Sequence, residues 1–148
     1  MLLDLKQIYD NVGEKKDFVC EVSANAFPVV GGRNFSDGAE IEGSVFNRAG
    51  IVTLKEKVHT VITTQCDRCL RSVRCDLGFD FEHILVRSLN GEDNDEYIVT
   101  NGDVLDTDAL AVSDIILCMP TKILCREDCK GLCQKCGADL NEGSCGCE

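Results

Sequence analysis

Two clusters of cysteines restrict what this chain can fold into more than any other feature. Upstream lies Cys66-Asp67-Arg68-Cys69. The last twenty-four residues then carry Cys125, Cys129, Cys133, Cys136, Cys145 and Cys147. Eight of the eleven cysteines fall in these two places, spaced C-x2-C, then C-x3-C-x3-C-x2-C-x8-C-x-C. No packed core needs thiols at that density. A tetrahedral metal does, because a C-x2-C turn aims two thiolates at one point.

The compartment supports metal over disulfides. The segment Met1-Leu2-Leu3-Asp4-Leu5-Lys6-Gln7 has neither a basic leader nor a sustained apolar run, so it reads as no signal peptide. No run of eighteen apolar residues is available for a membrane helix. The expected location is the reducing cytoplasm, where cysteines seldom form disulfides, and the odd cysteine count also opposes a full disulfide framework.

Four thiolates make a closed ligand set with no open coordination position, which points to structural and not catalytic metal. The first-choice grouping is Cys66, Cys69, Cys125 and Cys129 in one site, and Cys133, Cys136, Cys145 and Cys147 in a second. An alternative grouping of Cys125, Cys129, Cys133 and Cys136 stays open. Zinc is expected, one or two ions per chain; iron is the competing metal for such a set. A site that draws ligands from both ends of a fold contributes folding free energy directly.

The net charge is −11, which opposes nucleic acid and membranes alike if evenly spread. It is not evenly spread. Residues 66–75 and 121–136 hold seven basic residues (Arg68, Arg71, Arg74, Lys122, Arg126, Lys130, Lys135) against three acidic ones, leaving eight and twenty-three elsewhere. The plainest reading is that these cations offset thiolate charge, since a four-thiolate zinc site carries about −2. The competing reading is a phosphate-contacting patch.

Residues 2–9 read as a short strand or a helical turn, and residues 10–17 as a polar loop. A strand is expected at Phe18-Val19-Cys20-Glu21-Val22, with Cys20 as a small buried hydrophobe. From Ala39 the apolar period is two, through Ile41, Gly43 and Val45. After a turn at Asn47-Arg48-Ala49-Gly50, a Thr/Val-rich return strand delivers the chain to Cys66. Leu77, Phe79 and Phe81 alternate in a strand leaving the knuckle. Residues 89–108 carry seven acids (Glu92, Asp93, Asp95, Glu96, Asp103, Asp106, Asp108) and no Lys or Arg, which reads as a solvated loop around a short strand, Tyr97-Ile98-Val99.

A helix capped by Asp106 or Thr107 then places Leu105, Ala109, Val112, Ile116 and Met119 on one face. Leu110, Ile115 and Leu117 widen that face, Cys118 sits in the core, and Pro120 stops the helix. His59 and His83 lie in strand patterns without a nucleophile to serve, and read as structural. No βαβ pattern surrounds Cys66 and Cys69 to suggest a thioredoxin-like pair, and no phosphate-binding glycine loop occurs. Nothing apolar surrounds the acids of the loop to raise a carboxyl pKa for catalysis.

The expected fold is α+β: a mainly antiparallel β-sheet with one C-terminal helix and a Cys-rich zinc-knuckle tail. Residues 1–120 form the β-rich body with its helix, and residues 121–148 form the zinc-binding tail packed on it.

The Cys66-Asp67-Arg68-Cys69-Leu70 knuckle after its Val/Thr-rich strand, the helix ending Ile115-Ile116-Leu117-Cys118-Met119-Pro120, and the run from Cys125 through Cys129 and Cys133 resemble the YceD family, the large ribosomal RNA subunit accumulation proteins. The resemblance continues through Cys136-Gly137-Ala138-Asp139-Leu140-Asn141 to Cys145-Gly146-Cys147, and so covers nearly the whole chain. Some members of the family lack the part matching residues 133–147 and keep ligands where Cys125 and Cys129 stand, which implies two independent sites. The resemblance implies a non-enzymatic role in 23S ribosomal RNA accumulation and large-subunit assembly. The partner it implies is large-subunit ribosomal RNA or its precursor, or a ribosomal or assembly protein, with no membrane and no small-molecule substrate. Arg68, Arg71, Lys130 and Lys135 are then the candidate RNA contacts. Few aromatic side chains are present for base stacking. The alternative is therefore a zinc-stapled protein-interaction module with no direct RNA binding; a redox or metal-handling protein with exposed thiolates is a third reading.

Overall fold

The alternating pattern from Ala39 builds the centre of the molecule, a five-stranded sheet. The structure is a computed structural model and describes residues 1–89 and 95–147. In chain order the elements are β1 (Leu2–Asp4), α1 (Lys6–Asp10), β2 (Lys15–Val22), a 3-10 turn (Ala24–Ala26), β3 (Ala39–Arg48), β4 (Ile51–Gln65), β5 (Ser72–Val86), β6 (Tyr97–Val99), β7 (Val104–Asp106) and α2 (Thr107–Cys118). The large sheet has the order β2-β3-β4-β5-β6; β1 and β7 form a separate antiparallel pair. All neighbours in the large sheet are antiparallel except β5 and β6.

The β3–β4 hairpin closes through Ala49 (φ 53°) and Gly50 (φ 85°). Positive φ at both central residues matches the twist of the flanking strands, and Asn47 Oδ1 accepts from the Gly50 amide at 3.0 Å. One sheet face carries Ile41, Val45, Leu54, Val58, Ile62 and Leu85, all buried. Leu5 and Ile8 from the N-terminal segment and Ala111 and Ile115 from α2 complete this core. Asp106 caps α2, accepting from the amides of Asp108 and Ala109 at 3.2 Å each. This satisfies two of the helix's free N–H groups.

Four local expectations need correction. Residues 15–17 are not loop: Lys15, Lys16 and Asp17 pair with Phe46, Val45 and Ser44. Charged residues suit an edge strand, where they discourage further pairing, and this polarity hides the strand from a hydrophobic pattern. The acidic stretch holds a second strand, β7, so Leu105 belongs to that strand and not to the helix. Within it Asp103 pairs with Arg87 at 2.5 Å and Asp106 serves as the helix cap, while Glu92 and Asp93 lie outside the described residues. Helix α2 is rotated from the expected face: Thr107, Ala111 and Ile115 are buried, whereas Ala109 and Leu117 are exposed. With that rotation Cys118 is exposed, not core. Cys20 is half-buried, its Sγ 3.8 Å from Thr107 Oγ1.

Candidate metal centre

The first four-cysteine cluster forms where the longest hairpin ends. β4 and β5 are joined by a tight knuckle in which the Cys66 amide donates to the Arg71 carbonyl at 2.8 Å, and the Leu70 amide to the Cys66 carbonyl at 3.0 Å. Leu70 takes φ 62°, a left-handed conformation rare for a branched apolar residue, and its side chain is exposed. The turn therefore bends at the expense of Leu70 and presents Cys66 and Cys69 inward.

Beyond α2 the chain returns to this knuckle. Asp67 clasps it: its amide donates to the Ile123 carbonyl at 2.9 Å, and its Oδ2 accepts from the Ile123 amide at 2.7 Å. Two residues later Cys125 arrives, followed by Cys129. Cys66 Sγ lies 3.7 Å from Cys129 Sγ, and Cys69 Sγ lies 3.6 Å from Cys125 Sγ. All four sulfurs lie within 4.8 Å of one another. A disulfide would bring a pair to about 2 Å. Tetrahedral zinc, with a metal–sulfur distance of about 2.3 Å, separates its sulfurs by about 3.8 Å. The donor set fits a metal ion. Cys66, Cys69 and Cys129 are buried and Cys125 is half-buried, so an ion here would be shielded from water.

The thiols of this cluster are pulled in opposite directions. Burial raises the Cys66 thiol, but the amides of Cys69, Cys125 and Arg68 outweigh it and bring it down to about 6. Burial and its hydrogen bond with Cys69 push Cys125 up to about 12. Four close thiolates repel one another; a divalent cation ionises the whole set together.

The second cluster is Cys133, Cys136, Cys145 and Cys147, again with all sulfurs within 4.8 Å. The Gly137 amide donates to the Cys133 carbonyl at 2.8 Å, and Gly137 takes φ 76° as the knuckle requires. Hydrogen bonds from the Cys136 and Lys135 amides bring the Cys133 thiol down to about 6. This cluster is more open: Cys136 and Cys147 are exposed. The structure thus gathers the first-choice grouping and does not gather Cys125, Cys129, Cys133 and Cys136.

The two clusters are joined through a residue that spacing does not single out. Asn141, in the loop between Cys136 and Cys145, donates from Nδ2 to Cys129 Sγ at 3.3 Å. Its Oδ1 accepts from Arg126 at 2.9 Å and from the Lys130 amide at 2.8 Å. That contact lowers the Cys129 thiol pKa. A loop of the second cluster therefore supplies a hydrogen bond to a thiol of the first. The only hint in the sequence is an Asp-x-Asn turn, Asp139 Oδ1 accepting from the Asn141 amide at 2.9 Å. Asp67 was equally hidden inside its C-x2-C spacing.

The basic residues divide into two kinds. Arg68 donates to the Cys129 carbonyl at 2.8 Å, and Arg71 pairs with Asp139 at 3.1 Å and Glu142 at 3.4 Å. Both guanidiniums hold the tail to the knuckle. Gly131 packs there too: a Cβ on it would sit 3.3 Å from the Arg68 carbonyl. The side chains of Lys130 and Lys135 are exposed. No helix is long and apolar enough to cross a membrane among the described residues. His59 faces Asp76 at 3.3 Å and His83 faces Asp114 at 2.7 Å, and neither belongs to a four-cysteine cluster.

A mainly antiparallel sheet, with one four-thiol cluster joining its longest hairpin to the tail and a second within the tail, defines a β-rich scaffold whose clusters can hold metal ions. The family model described as Large ribosomal RNA subunit accumulation protein YceD matches residues 54–148, from the return strand through both clusters. The chain belongs to that family. No curated protein and no solved structure matches the chain.

Proposed function

We propose that this protein is a non-enzymatic factor of the cytoplasm that supports 23S ribosomal RNA accumulation and large-subunit assembly, with zinc as the structural metal in both clusters. The observation that carries this reading is the pair of closed four-thiol sets in a chain of the large ribosomal RNA subunit accumulation family. Cys66, Cys69, Cys125 and Cys129 hold the first ion, and Cys133, Cys136, Cys145 and Cys147 the second. All-thiolate ligation leaves no position for an activated water, so the metal's role is to hold parts together. On this reading residues 1–120 act as the body and residues 121–148 as the zinc-binding tail clamped to it by Asp67, Arg68 and Arg71.

Of the four candidate RNA contacts, Lys130 and Lys135 carry the phosphate-facing role, while Arg68 and Arg71 position the surface that presents them. Ultraviolet cross-linking in the native cells, with sequencing of attached RNA, tests this. Reads concentrated on one region of large-subunit RNA and lost in the Lys130→Glu, Lys135→Glu variant are the expected result. No enrichment, with the protein still sedimenting with subunit precursors, overturns direct contact and leaves a protein partner as the link. The acidic body favours that second reading, through a basic ribosomal or assembly protein.

A further inference from the structure

β5 pairs with β4 from Ser72 to Leu85 on one side. On the other side, among the described residues, it meets only the short β6, at Ile84, Leu85 and Val86. Among the described residues nothing pairs with the remaining edge, residues 72–83, an extended stretch of roughly 40 Å. The orientation of its backbone follows from the ladder. The Thr100 amide, on the β6 side, donates to the Val86 carbonyl at 2.8 Å, and in an antiparallel pair alternate residues point to opposite partners. With no break in register, Arg74, Asp76, Gly78, Asp80 and Glu82 therefore direct unpaired N–H and C=O groups outward.

The two faces beside this edge differ in chemistry. Val73, Cys75, Leu77, Phe79 and Phe81 form an apolar row that is only half-buried against the core. Phe79 and Phe81 stack with centroids 5.7 Å apart. On the opposite face stand Asp76, Asp80 and Glu82, all exposed. Asp76 pairs with His59 at 3.3 Å and Glu82 with Lys55 at 3.2 Å, whereas Asp80 makes no ion pair among the described residues; a Cβ at Gly78 would meet nothing within 4 Å. A long, unpaired edge with an apolar row is the kind of surface that natural sheets normally cover or bend away.

We infer that the open edge of β5 is a docking site for an extended peptide segment of a partner protein, one in which basic and apolar residues alternate. The peptide adds a sixth strand: its backbone pairs with the outward groups, its apolar side chains extend the Phe79–Phe81 row, and its Lys or Arg side chains meet Asp76, Asp80 and Glu82. Charge disfavours most pairings with a second copy of this chain. Two-fold pairing centred from Phe79 to Phe81 sets an acid opposite an acid, which is unfavourable, and only centring on Leu77 or Gly78 brings Arg74 opposite Asp80 or Glu82. The inference rests on the sheet edge alone and stands whether or not the protein touches RNA.

The test uses the full metal-loaded chain and a capped peptide of about twelve residues alternating lysine and valine, with a glutamate–valine peptide as control. Backbone amide exchange is read by NMR. The basic peptide should slow exchange at Asp76, Gly78, Asp80 and Glu82 by at least about tenfold, and the acidic peptide should not. The Asp76→Lys, Asp80→Lys, Glu82→Lys variant should reverse that preference; retained protection of the Phe79 and Phe81 amides, which face β4, verifies its fold. If those are lost, Asp80→Lys alone replaces it and should weaken the basic peptide by at least about threefold. No slowing, equal slowing by both peptides, or slowing without peptide that grows with protein concentration overturns the inference, the last by assigning the edge to a second copy.

Discussion

Replacing Glu56 with glutamine should stabilise the protein at about pH 8 and leave it nearly unchanged near pH 4. Glu56 lies in the middle of β4, 2% exposed, opposite Gly43 on one neighbour and Phe81 on the other. Neither carboxyl oxygen has a hydrogen-bond partner among the described residues. Burial, and then the negative charge of Asp114, push its pKa from 4.5 up to about 7. Because the folded pKa is the higher one, the folded state holds a proton that the unfolded state has released between those two values. Stability therefore falls as pH rises through that window and levels off above it. At about 1.4 kcal/mol per pH unit the ionised carboxylate costs roughly 3 kcal/mol, a sizeable share of a typical 5–15 kcal/mol. Glutamine cannot ionise, and its own burial penalty is the same at every pH. Urea unfolding of both proteins, metal-loaded, from about pH 4 to 8 isolates the difference. The two curves should diverge by roughly 3 kcal/mol, or about 10 °C in melting temperature. Parallel curves would refute the claim that the Glu56 carboxyl is held protonated by its surroundings.

Metal analysis should find two zinc ions per chain; Cys66→Ser with Cys69→Ser should leave one and melt the body, because the first site ties both ends of the fold together. Truncation after Leu132 should leave the body folded by hydrogen exchange, and equal loss of protection in both proteins would show that the sites are not independent. Asn141→Ala should weaken metal at the first cluster by about 10- to 100-fold in chelator competition, through the lost donor to Cys129; an unchanged affinity would make that contact incidental. Gly43→Ala should destabilise by about 1–3 kcal/mol in denaturant titration, since a Cβ there would fall 2.1 Å from the Phe18 ring.

Much of the site was legible because thiolate ligation demands short, regular spacings. Without any fold, the C-x2-C turns and the closing Cys145-Gly146-Cys147 mark clusters able to hold metal. The period-two run from Ala39 likewise marks β3 and β4, since alternation is how a strand divides one buried face from one wet face. The grouping of ligands was different. Cys66 and Cys125 are far apart in sequence, and only the packing of α2 and the clasp of Asp67 on Ile123 return the tail to the first knuckle. Local spacing alone left the contiguous set of Cys125 to Cys136 open.

The remaining misses share that cause. Lys15, Lys16 and Asp17 form a strand because β3 offers them a partner, not because they prefer one. The rotation of α2, which exposes Cys118 and buries Thr107, is chosen by the surface beneath it, as an apolar-rich helix has several faces it can bury. Arg68 and Arg71 look like free cations in sequence and prove to be fasteners. The sequence by itself determined the chemistry, thiol-rich knuckles on an acidic β-rich body, because ligand identity and alternation are local properties. Tertiary structure alone decided which thiols share a cluster, that Asn141 links the two, and, among the described residues, that Glu56 is buried without a partner and β5 keeps an open edge. Each of these depends on what lies across space, which no local pattern records.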